Sequence, residues 1–85
     1  MSAAILQLQH LASCCRNAHL YSCISHAHAA LLYAQRGVLT QTIVSLGAAQ
    51  REAEQHWGSS ADPRALSALR HVRQECKVAL TAKLL

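Results

Sequence analysis

Phenylalanine is missing from this 85-residue sequence, tryptophan occurs once and tyrosine twice. Without aromatic bulk the interior has to be built from Leu, Ile, Val and Ala, and at about 25 cal/mol per Å² such a core accumulates stability slowly. Proline occurs once and glycine three times, at Gly37, Gly47 and Gly58. Breakers this scarce leave long helices as the expected structure, and the chain is expected to be all-α. Acidic residues are absent before Glu52, and Arg16 and Arg36 are the sole Lys or Arg up to Gln50. In that half the polar positions are Gln, Ser, Asn and His, which enter a protein interface at lower cost than Lys or Glu. Burial of the N-terminal half by another chain or a second copy is therefore expected, with a helix solvated by weakly polar groups as the alternative.

The uncharged run from Asn17 to Gln35 is about the length that spans a bilayer, yet it contains Asn17, His19, Ser22, Ser25, His26, His28 and Gln35, too many polar groups for hydrocarbon. The first residues lack the basic start of a secretory peptide. A soluble, cytoplasmic protein with no membrane partner is expected. Cys14, Cys15, Cys23 and Cys76 show no spacing of the small disulfide-rich type, so reduced thiols acting as small hydrophobes are the default.

What is present is helical periodicity. Residues 1–36 read as an apolar helical segment, with Ile5, Leu8, Ala12 and Cys15 on one stripe and Leu20, Ile24, Ala27, Leu31 and Ala34 on another. The two stripes are out of register, so a break or bend is expected near Arg16-Asn17-Ala18, and Gly37 is the next joint. Residues 37–85 read as an antiparallel helical hairpin, with helices over about 38–57 and 63–84. Its turn is Gly58-Ser59-Ser60-Ala61-Asp62-Pro63, where Gly supplies a C-cap and Asp-Pro an N-cap and first helical residue. Leu39, Ile43, Leu46, Ala53 and Trp57 would face Leu66, Leu69, Val72, Cys76, Leu80 and Leu84 across a narrow seam. Together the two parts make one small domain, and so thin a core implies a further layer from a partner.

Few constellations carry chemistry. Cys15, His19, Cys23 and His26 share a helix face, but a helix climbs 1.5 Å per residue, so Cys15 and His26 would lie roughly 16 Å apart and one ion could take only two of the four. No metal or other cofactor is expected. A thiol nucleophile at Cys23 beside His26 or His28 would lack an orienting carboxylate, since that half has no Asp or Glu. No phosphate loop or His-Glu-x-x-His motif is present, and enzyme activity is not expected. Gly47, beside Ala48 and Ala49, is either a tolerated defect or a point of close helix approach. Arg70, Arg73 and Lys77 form a basic ridge interrupted by Glu75. With a net charge of only +4, a solvated face or an acidic protein partner is preferred over nucleic acid.

Ile43-Val44, Leu46, Ala48-Ala49, Arg51, Glu54, Gly58 and Asp62-Pro63 together resemble the small E-type co-chaperones of type III secretion needle subunits, over about Leu31 to Leu80. The resemblance implies a bacterial cytoplasmic protein that pairs with a larger tetratricopeptide-like chaperone, the two keeping a needle subunit from self-assembling. Ala30, Tyr33, Gly37, Thr42, Leu46 and Ala49 are in turn similar to the packing and turn positions of one tetratricopeptide repeat, which implies a generic helical adaptor. On either reading Leu39, Ile43, Leu46, Leu69, Val72 and Leu80 are the expected partner-binding residues, divided between internal seam and outer surface. A homo-oligomer is expected when the chain is alone.

Overall fold

The computed structural model describes residues 3–15, 18–57 and 63–84, with the side chains of 14, 15, 18, 19, 56 and 57 left aside. Four helices account for nearly all of them: α1 (Ala3–Cys15), α2 (Ala18–Gln35), α3 (Leu39–Trp57) and α4 (Pro63–Leu84). The chain is all-α. The N-terminal half holds α1 and α2, and Arg16 and Asn17, where a break or bend was expected, lie outside the described residues. Pro63 takes the first helical position of α4, where its missing N–H costs nothing. The Gly58 cap and the Asp62 cap lie outside the described residues. At 22 residues, α4 is about 33 Å long and sets the long dimension of a molecule measuring 39 × 21 × 17 Å.

The sharpest local feature is the joint between α2 and α3. Gly37 has φ 77°, a left-handed conformation that glycine adopts without steric cost. The Gly37 amide donates to the Ala34 carbonyl at 3.0 Å and the Val38 amide to the Tyr33 carbonyl at 3.0 Å. That pair of bonds is a Schellman cap, which satisfies the last carbonyls of α2. Four residues after Val38, buried Thr42 donates its hydroxyl to the Val38 carbonyl at 2.7 Å, so the buried polar group is paired at the start of its own helix.

Packing follows this joint. The most extensive helix contact is α2 with α3, followed by α2 with α4, and α3 meets α4 least. The expected seam between α3 and α4 is therefore not the main core interface, and α2 holds the central place. The core itself is lined largely by alanine: Ala27, Ala30 and Ala34 of α2, Ala49 and Ala53 of α3, and Ala65 and Ala68 of α4 are all buried. Larger side chains enter mainly from α1, as Ile5, Leu8 and Leu11, and singly elsewhere, as Leu20 and Val72.

The register of the two C-terminal helices is corrected accordingly. In α3 the buried face is Thr42, Ser45, Ala49 and Ala53, whereas Leu39 and Ile43, expected in the seam, are exposed. In α4 it is Ala65, Ala68, Val72 and Cys76, whereas Leu66 and Leu84 are exposed. The physical reason is the same in both helices. Alanine at the contact lets two helix axes approach closely, and a leucine there would hold them apart.

The two glycines give a paired test. Gly37→Ala forces a side chain into the left-handed region and sets its Cβ 2.8 Å from Lys83 Cγ. The lysine stem can swing aside, so the backbone term dominates and a loss of about 1–2 kcal/mol is expected in urea unfolding. At Gly47 an added Cβ meets nothing within 4 Å, and Gly47→Ala should stabilise α3 by about 0.5–1 kcal/mol.

Candidate functional site

Two contacts fix how α3 and α4 run past each other. Gly37, just before α3, lies against Lys83 near the end of α4, and Arg73 Nη2 donates to Gln50 Oε1 at 3.4 Å in the middle of both helices. The helices thus run antiparallel, and Leu39 and Ile43 come level with the last turns of α4. Because the pair meets so little, a groove is left between them, with a pocket of about 230 Å³ lined by Gln50, Leu66, Leu69, Arg70 and Arg73.

The residues expected to bind a partner fall into three groups. Val72 is fully buried and belongs to the core. Leu46, Leu69 and Leu80 are half-buried and pack against the core from its rim. Leu39 and Ile43 stand 52% and 60% exposed, which is the reverse of what apolar side chains of that size usually do. Val44, which the sequence pattern did not single out for this surface, is 56% exposed beside them. Gly47 sits in the same outer surface, in a shallow groove also lined by Ile43, Val44, Gln50, Arg51 and Glu54. Its open Cβ direction makes it a notch on the outside of α3.

A second apolar cleft, of about 600 Å³, opens between α1, α2 and α4, with Ile5, Leu31, Leu32, Val78 and Ala79 on its walls and His28 and Glu75 at its polar positions. Leu32 and Val78 are large and exposed there. The signal for this cleft in the sequence was the lack of charge in the N-terminal half, which pointed to contact but not to a place.

Charge on α4 is segregated more cleanly than its sequence suggests. Arg70 and Arg73 are exposed and line the α3 groove, and exposed Lys77, on their side of the helix by spacing, borders a separate hollow with Gln74, Val78 and Thr81. Glu75, expected to interrupt this ridge, lines the other cleft instead. Two residues along a helix is a rotation of roughly 200°, so Glu75 lies across the helix from both Arg73 and Lys77. On the α3 side the neighbouring carboxylate is Glu54, whose Oε1 accepts a hydrogen bond from Gln50 Nε2 at 3.3 Å.

The titratable groups carry little reactive potential. Cys23 and Cys76 are free thiols buried in the core. Burial, assisted by the negative charge of Glu52, pushes Cys23 up to about 11, and burial with Glu75 raises Cys76 in the same direction. Both thiols stay protonated near neutral pH, the form that is neither nucleophile nor metal ligand. Among the described residues no group of three or more His, Cys, Asp or Glu is placed to hold a metal ion. The side chains of Cys15 and His19, which with Cys23 and His26 made up the candidate metal face, lie outside the described residues. No helix among the described residues is long and apolar enough to cross a membrane.

No family model, curated protein or solved structure matches the chain.

The thiols yield a pH test. A folded-state pKa above that of the unfolded thiol favours folding while the group is neutral, and this contribution is lost as pH rises from about 9 toward the folded value near 11. Unfolding free energy should fall across that window, and Cys23→Ala should flatten the fall. In the native protein at pH 8, alkylation of Cys23 and Cys76 should be at least tenfold slower than in urea.

Proposed function

We propose that this chain is a small helical interaction protein of the co-chaperone kind. It acts by burial, covering hydrophobic helix faces of a partner so that the partner does not assemble prematurely. The observation that carries the reading is the inverted placement of apolar side chains. Alanine fills the helix contacts, while Leu39, Ile43, Val44, Leu32 and Val78 stand in the open. Exposed large apolar side chains grouped along a groove mark interaction surfaces. The resemblance of residues 31–80 to E-type needle co-chaperones supplies the specific form of the proposal. In that form the partners are a tetratricopeptide-like chaperone and a type III secretion needle subunit, in the bacterial cytoplasm, with neither cofactor nor catalysis.

A second reading, a generic adaptor built on one tetratricopeptide-like helix pair, draws support from the α2–α3 packing. Ala30 of α2 and Thr42 and Ala49 of α3 are buried, and Gly37 makes the turn between the two helices, as such a pair requires. The two readings differ in the partner and share the mechanism.

Native co-purification with mass spectrometry separates them. The co-chaperone reading expects a stoichiometric complex with two small secretion-apparatus proteins. Recovery of other partners alone would replace it with the adaptor reading. Purified without partners, the chain should run as a dimer or larger in light scattering, because the Leu32 and Val78 cleft is then uncovered. A clean monomer at ~100 μM would count against self-association.

A further inference from the structure

We infer that the groove between α3 and α4 receives an amphipathic helix from a different protein, one that carries carboxylates alongside its apolar stripe. This deepens the interaction reading by naming the surface and the chemistry of its occupant.

The groove offers both halves of such recognition. Its apolar wall comes from Leu66 and Leu69 on α4, and exposed Ile43 of α3 lines the adjoining hollow that shares Gln50 with it. Running beside that wall is a one-signed rim: Arg70, Arg73 and Lys77 lie on the same flank of α4, spaced three and four residues apart. A helix laid in the groove would bring side chains of its own flank against each of them in turn. Of the described acidic residues, Glu75 lines the cleft on the far side of α4, Glu52 lies near buried Cys23, and Glu54 comes nearest the rim, its carboxylate held by the Gln50 amide that also accepts from Arg73. Arg73 donates to the neutral amide of Gln50 at 3.4 Å, a long bond that a carboxylate would outcompete.

Charge also decides against a second copy as the occupant. Helices α1 and α2 contain no Asp or Glu, and α3 and α4 carry three between them. None of the chain's own helices can present a row of carboxylates beside an apolar stripe. A heterologous helix meets the requirement, and its docking would be steered by a positive rim facing a negative flank.

The test uses two synthetic helical peptides with one leucine stripe, flanked by Glu in the first and by Lys in the second, titrated into the full-length, isotope-labelled chain. The Glu peptide should bind at least tenfold more tightly, weaken with added salt, and shift amides along Leu39–Gln50 and Leu66–Leu84. The Arg70→Glu/Arg73→Glu variant, altered only at exposed positions, should melt like the parent and reverse the preference. Equal binding of the two peptides would overturn the inference, as would shifts confined to the Ile5, His28 and Leu32 cleft. So would a DNA duplex that moves the Arg70 and Arg73 amides at lower concentration than the Glu peptide does. If native partners are recovered yet the Glu peptide fails, the groove assignment alone falls. If the Glu peptide docks in the groove but no secretion partner is recovered, the co-chaperone reading alone falls.

Discussion

Close approach of α2 to its neighbours is the constraint on which the rest of this molecule depends. Three alanines of α2, at positions 27, 30 and 34, are fully buried, in one core cluster with the buried alanines Ala49 and Ala53 of α3 and Ala65 and Ala68 of α4. Each such contact removes little apolar area from water, so its contribution is modest, but it fixes helix separation tightly because a methyl group has no rotamers to adjust. The Schellman cap at Gly37 holds α2 and α3 in this relation with two backbone hydrogen bonds. Lys83 closes over the same turn from the end of α4.

From that constraint the surface follows. With its small residues turned inward, α3 leaves Leu39 and Ile43 exposed on one flank and Val44 on the far side. The molecule therefore keeps a thin interior and leaves several of its larger apolar side chains exposed. A domain of this size buries a comparatively small fraction of its surface, so a partner laid along these helices would supply the missing layer as well as receive protection. The thiols fit the same economy of volume: Cys23 and Cys76 serve as small apolar fillers, with protonation held by burial.

The helices were legible in the sequence because breakers are few and well placed. Pro63 opens α4, Gly37 closes α2, and the change of stripe near Arg16 falls between α1 and α2. The choice of inward face was not legible. Periodicity follows the largest hydrophobes, and in α3 the Leu39 and Ile43 stripe reads more strongly than Thr42, Ser45 and Ala49, yet the weaker stripe is the buried one, joined by Ala53 alone of the described α3 residues expected in the seam. Alanine is ambivalent in sequence, equally at home on a solvated face, and only the partner helix shows which role it plays. The central position of α2 was hidden for a related reason: a helix without charge has no polar face to mark its outside. Glu75 illustrates the opposite case, since counting residues made it part of the basic ridge, whereas helical rotation carries it to the other cleft.

The unfolding free energy of Ala30→Leu in urea tests the central claim most directly. If α2 is held close by alanine, the added side chain has no room and stability should fall by about 1–3 kcal/mol, as overpacked cores do, despite the extra apolar area. Stability equal to or above that of the parent would mean that the space is there, and that close alanine packing does not set the arrangement of these helices.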